Sequence, residues 1–338
     1  MINFPPTPSP KDLYKAYAEG YIGCFLDDPQ LPSQARFMAR YERKKALESS
    51  SLPHVEDGLD LIRAGNPGGE GQCAFPWHLY VKLDEMEAQG RAMKGNQLTG
   101  DCTSWGAGCA IDIERATSIL EGGEFESYKA QRCTATIYGW RGHSGQGMAV
   151  STAARAVNQY GMGVEDMYVG GKYDLRNYAD YVKLGMSWGG RGTPTDLQAV
   201  TKENRVKTVS SVQEMEAVMD LLQNGYGLAV GSMLGVADSG NPISRRSGSW
   251  SHCMCIVGYE GRREILDQIG QTKPVFLWDN SWGKWNSTTN IPAEWQPWSE
   301  GMFCLSWDDT WWAIKNGDNW VFSDFEGFPI RKIKWLMI

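Results

Sequence analysis

"GDCTSWGAG", residues Gly100–Gly108, sets a cysteine where a helix is about to begin. Asp101 carries the short acceptor side chain that helix N-caps use, and Cys102, Trp105, Cys109, Ile113, Ala116 and Leu120 follow at spacings of three or four. That spacing predicts a helix of about 18 residues with a wide core-facing stripe, stopped by Gly122-Gly123. A thiol at the mouth of such a helix can be a small core residue, a redox group, a metal ligand or a nucleophile. The rest of the sequence narrows the choice.

Bulk properties remove several function classes. The chain has 338 residues, 42% hydrophobic and 22% charged, as in a soluble globular protein large enough for a sizeable core. Its 15 Trp and 39 Gly point to a loop-rich body whose core leans on aromatics. A net charge of -7 argues against nucleic acid or an anionic membrane as partner. No apolar run is long enough to span a bilayer, and "MINFPPTPSPKDLY" lacks the basic-then-apolar order of a secretory signal. The expected location is therefore the cytoplasm, or a particle assembled there. In that setting the cysteines are expected to be reduced thiols. No C-x-x-C pair occurs, which removes the thioredoxin motif and the usual zinc-ribbon spacing.

Working outward from Cys102, residues 1–75 read as a Pro-rich arm ("FPPTPSP", "DDPQLP") with a helix from Ser33 through "QARFMARYERKKALES". "AGNPGGEGQ" (64–72) is the most linker-like stretch. C-terminal to the cysteine, a second helix reads from Ser151 as cap to Gly161. A third reads from the capping box Ser211/Glu214 through "MEAVMDLLQN" to Gly225. Strand-like runs then take over at 227–234, 251–260, 275–282 and 302–307. Helices first and strands second predict an α+β protein, with a helical half over about 90–205 and a β half over about 206–315.

The β half supplies chemical partners for a nucleophilic Cys102. His252 opens "HCMCIVGYE", and Asn280 stands in "WDNSWG". A thiol attacks a carbonyl as thiolate, which a helix N-terminus and an imidazolium both favour. The imidazole needs a group that fixes its tautomer, and a side-chain amide oxygen can do so.

At this point the chain resembles the papain-like cysteine peptidases. "NQLTGDCTSW", "SHCMCIVGYE" and "DNSWGKW" occur in that family's order, and the likeness spans roughly residues 90–310. It implies a two-lobed fold over 76–315: a helical half and a β-barrel-like half with the active-site cleft between them. It implies Cys102 as nucleophile, His252 as general base and then acid, Asn280 as orienter of the imidazole, and Trp282 as cover for that hydrogen bond. Gln97 would donate to the oxyanion together with the Cys102 N–H. The substrate implied is a peptide or protein, cleaved by hydrolysis without metal or organic cofactor. Thr103 and Ser104 intervene before the supporting Trp105, where most of the family has Trp directly after the nucleophile. Forcing Trp105 into that register would put Ser104 in the nucleophile slot, and the Gln-to-Cys spacing is one residue short of usual.

Other motifs read as plain structure. Cys253 and Cys255 share a strand face with nothing to complete a zinc tetrahedron. "GHSGQG" (142–147) lacks the Lys-Ser/Thr of a phosphate loop. Asn286-Ser287-Thr288 is a sequon without meaning in a chain that is not secreted, and His54, His78 and His143 have no visible partners. The segment 284–301, with Trp285, Trp295 and Trp298, reads as an ordered flap at the rim of the cleft whose tryptophans narrow it, dock a neighbour or only pack on the flap's own base. Residues 316–338 read as an extension with exposed aromatics. Arm and extension could both dock a protein partner. The competing reading is a structural component of a larger assembly, such as a virus particle, with residual or no catalysis.

Overall fold

The longest helix lies in the first half and the main sheet's longer strands in the second, with short strands and helices interspersed in each, and the α+β class holds. The structure is a computed structural model that describes residues 69–86, 93–122, 132–165, 167–238, 242–285, 290–299 and 301–325. The arm up to residue 68, with its helix from Ser33, the sequon and residues 326–338 lie outside the described residues.

A short strand β1 (Cys73–Ala74) and helix α1 (Trp77–Met86) lead to the long helix α2 (Cys102–Gly122). Next come α3 (Thr134–Tyr138), α4 (Val150–Tyr160), the small hairpin β2 (Tyr168–Val169) and β3 (Tyr173–Asp174), α5 (Tyr178–Trp188) and α6 (Thr195–Thr201). The second half holds β4 (Val206–Ser211), α7 (Met215–Gln223), β5 (Leu228–Ala237), β6 (Ile243–Glu260) and α8 (Arg263–Gln268). It ends with β7 (Val275–Asp279), β8 (Met302–Leu305), α9 (Trp307–Asn316) and β9 (Asp318–Phe325). Among the described residues, no helix is long and apolar enough to cross a membrane.

The main sheet runs β4-β9-β5-β6-β7-β8, with β1 on β6. Where both faces of the sheet are covered, as in β7, β8 and the second half of β6, the strands are fully buried, mostly apolar runs. Cys253, Cys255, Val257, Leu277, Cys304, Trp320 and Phe322 pack with α2 in one core. Met254, Ile256, Phe276, Trp278, Phe303 and Val321 pack with α7 and α9 in the other. The start of β6 also pairs with β8, Ile243 opposite Cys304, so the sheet curls. It does not close into the barrel-like half expected, because β4 remains an edge among the described strands.

Several boundaries differ from the sequence expectation, each for a long-range reason. Ser211 does not cap α7; it ends β4 opposite Trp320, and Glu214 is the N-cap residue. Helix α4 begins at Val150, and the Ser151 N–H donates to the Asp318 carboxylate at 3.1 Å. Residues 318–325 are no appendage: β9 sits between β4 and β5, with Trp320 and Phe322 buried. The expected flap is anchored to the body as well. Trp295 is fully buried and donates its indole N–H to Glu260 at 3.2 Å, and Trp285 donates to the Gly301 carbonyl.

These placements have two consequences. Truncation after Asn316 removes a strand from inside the sheet, so the shortened chain should lose cooperative thermal unfolding by circular dichroism. Retention of a wild-type transition would contradict the placement of β9. Trp295→Ala should lower stability by about 3–5 kcal/mol in denaturant titration, as for other buried large-to-small changes, with no change in oligomeric state by light scattering.

Candidate active site

Helix α2 starts where the Asp101 carbonyl accepts from the Ser104 and Trp105 N–H groups, at 2.8 and 3.2 Å. The Asp101 carboxylate turns elsewhere and accepts from the Tyr178 and Thr134 hydroxyls. Cys102 is the helix's first residue, and its sulfur accepts from the Cys253 N–H at 3.4 Å. The thiol therefore abuts β6 at the residue next to His252. Ser104 is not the residue placed there: its Oγ is buried without a hydrogen-bond partner among the described residues.

The close approach of α2 to β6 depends on Gly106. A Cβ at that position would lie 2.6 Å from the Cys253 sulfur and 3.2 Å from the Met254 carbonyl oxygen, so a larger residue would force the Cys253 side chain or the helix to shift. Cys253 and Cys255 thus face α2 as packing groups. The described cysteines are all thiols.

His252 Nε2 is 2.8 Å from Asn280 Oδ1. A carbonyl oxygen only accepts, so Nε2 carries the hydrogen and Nδ1 holds the lone pair. Nδ1 is buried and has no hydrogen-bond partner among the described residues. Trp282 stacks on the imidazole at 4.3 Å and 28°, backed by Trp250 and Trp285. Burial pushes His252 down to about 4 against the smaller opposing effect of the Asn280 bond, so the ring is neutral at pH 7.

Gln97 arrives beside Asn280 by backbone pairing. Asn96 bridges to Trp282, and the Gln97 N–H donates to the Ser281 carbonyl at 2.7 Å. The Ser281 hydroxyl donates to Gln97 Oε1 at 2.6 Å, while Gln97 Nε2 donates to the Thr99 carbonyl at 2.9 Å. Trp105 does not join the imidazole; its ring lies edge-on to Tyr178 at 5.0 Å and under the Arg132 guanidinium at 5.1 Å.

The three side chains are enclosed by the fold. Cys102, His252 and Asn280 are 0%, 1% and 0% exposed. A cavity of about 1050 Å³ opens elsewhere, lined by Ile243, Ser244, Ile269, Asn290 and Ile291 among others. Sequence reading passed over Tyr178 and Gln146, which hold the turn before Cys102. Both are remote in sequence, and no local pattern marks them.

Compared with solved structures, the chain is similar to xylellain, a cysteine protease from Xylella fastidiosa, at TM-score 0.46 and 15% identity over 78% of this chain and 88% of that one. It is also similar to the ragweed pollen allergen Amb a 11, a cysteine protease in its proform, at TM-score 0.47 and 12% identity over 87% and 70%. A third similar structure is the digestive procathepsin L 3 of the Tenebrio molitor larval midgut, at TM-score 0.42 and 12% identity over 91% and 86%. No family model and no curated protein matches the sequence.

The depressed His252 value carries a stability signature. Between its ordinary 6.5 and about 4 the folded state binds fewer protons than the unfolded one, so stability falls as pH drops through that window. Asp101 and Asp279, both pushed up to about 7 by burial, act with the opposite sign and gain stability as pH falls from 7 toward 3.8. His252→Gln removes only the first effect, worth about 3 kcal/mol. Its melting temperature relative to wild type should therefore rise between pH 7 and pH 4; an unchanged difference would show that His252 is not buried neutral.

Proposed function

We propose that the chain is a cysteine hydrolase that cleaves a peptide or related amide bond through Cys102, His252 and Asn280. One observation carries this: the Asn280 amide oxygen holds His252 Nε2, leaving Nδ1 unpartnered in the same buried site where the Cys102 sulfur meets the next residue's N–H. Nδ1 takes the thiol proton as sulfur bonds to the substrate carbonyl carbon. The helix N-terminus at Cys102 favours the negative charge that develops on sulfur. The resulting oxyanion accepts from the Cys102 N–H and from the second amide hydrogen of Gln97, the first being held by Thr99. His252 then passes its proton to the leaving amine as the C–N bond breaks, leaving a thioester on Cys102. Water adds to the thioester with His252 again taking a proton, and the acid departs as the thiol is restored.

Complete burial of the three side chains means that the proposed hydrolysis requires the site to open before a peptide reaches sulfur. The same burial favours a second reading, in which the fold serves as a scaffold within an assembly and does not turn over. An epoxide-type thiol-directed peptidase inhibitor separates the two. Hydrolysis predicts labelling of Cys102 alone in the folded chain, lost in Cys102→Ala with the circular dichroism spectrum retained. Labelling that appears only after denaturation would overturn it.

A further inference from the structure

The turn from Gln97 to Cys102 joins the two residues that the proposed reaction uses as oxyanion donors, and no regular secondary structure holds the residues between them. Its polar groups are claimed instead by separate elements. Ser281 holds both the N–H and the side chain of Gln97. Gln146 Oε1 accepts from the Thr99 hydroxyl at 2.7 Å and from the Gly100 N–H. The Gly147 N–H donates to the Gly100 carbonyl at 3.2 Å.

Tyr178 touches both ends of the turn. Its hydroxyl oxygen accepts from the Leu98 N–H at 2.8 Å, next to Gln97. Its one hydrogen points at the Asp101 carboxylate, whose oxygens lie 3.0 and 3.1 Å away, next to Cys102. A phenol can accept and donate at once, so a single oxygen fixes the distance between the two flanks. The oxygen is itself well fixed. Tyr178 is the first residue of α5, whose N-cap Asn177 accepts from the Ala179 N–H, and its ring lies edge-on to both Trp105 and Tyr181.

We propose that Tyr178 is a positioning residue: its hydroxyl ties Leu98 to Asp101 so that the Gln97 amide and the Cys102 N–H converge on one oxyanion. This rests on the hydrolase reading above. Oxyanion donors act through geometry set before the reaction, and small displacements far from the bond being broken cost large factors in rate. Nucleophilic substitution on a small alkyl reagent forms no oxyanion, so the sulfur's own reactivity should not depend on this tie.

The test uses the full chain and Tyr178→Phe, which keeps the ring and removes only the hydroxyl. Turnover of a fluorogenic dipeptidyl aminocoumarin amide and alkylation of Cys102 by iodoacetamide, located by peptide mapping, are both followed. Expected are a fall in kcat of about ten- to hundredfold, KM within about twofold of wild type, and an alkylation rate within about twofold. Asp101→Ala removes the acceptor for the same hydroxyl and should give the same split; it decides the matter if Tyr178→Phe does not fold. An unchanged kcat, or kcat and alkylation falling together, overturns the positioning role while the hydrolase reading stands. A wild-type chain that neither turns over nor reacts at Cys102 overturns both.

Discussion

The contact between α2 and β6 is the constraint on which the site depends. A helix and a strand normally keep the distance that side chains impose, but Gly106 faces the Cys253 sulfur with no Cβ of its own. Ala107 and Ala110 are buried in the same core. The helix can therefore settle close enough for the Cys102 sulfur to meet a backbone N–H of β6. Once that register is set, His252 is one residue away by covalent geometry alone. Asn280 follows because β7 is the next strand of the sheet and pairs with β6, Asp279 opposite Cys255.

Burying α2 at the centre brings charges with it. Asp112 on its surface pairs with Arg132 at 2.6 Å, and Tyr80 of α1 donates to the same carboxylate. Both charged partners are almost fully buried, so loss of either would leave an uncompensated charge in the core. Arg132 also lies over Trp105 and helps hold down the carboxyl of Asp279, the residue before Asn280. One guanidinium thus ties α2, at Trp105 and Asp112, to Tyr80 of α1. Such a network adds little stability over an apolar core, but its geometry is specific, and here it surrounds the elements that carry Cys102 and Asn280.

What is legible in the sequence is what local pattern encodes. The stripe from Cys102 to Leu120 gives α2, and the runs at 251–260 and 275–282 give the second half of β6 and β7, so local pattern places Cys102 on its helix, His252 in its strand and Asn280 just past the end of β7. Gln97 is legible as a neighbour of the site, but the bonds that hold it are not. What is not legible depends on pairing across long separations. Ser211 has the side chain of a cap and lies in a strand because β9, more than a hundred residues on, pairs with it. Trp320 reads as exposed because its burial requires β4 and β5 to be in place beside β9. Tyr178 gives no signal at all, since a tyrosine at a helix start has no pattern that names its partner.

The imidazole of His252 shows why the site is more than well-packed core. A buried polar atom without a partner typically costs about 1–3 kcal/mol, and Nδ1 is such an atom. Stability alone would favour an apolar residue there, since Trp250, Trp282 and Trp285 already supply an aromatic surround. The Asn280 bond adds to the specificity, because it forces the hydrogen onto Nε2 and keeps the lone pair on Nδ1. Burial holds the ring neutral and so keeps the lone pair free, while the same desolvation weakens it as a base. Under the proposed hydrolysis, a neutral and oriented imidazole whose Nδ1 has no hydrogen-bond partner among the described residues has a use that packing alone does not give it. In that proposal the lone pair on Nδ1 is the acceptor for the proton that leaves sulfur during attack.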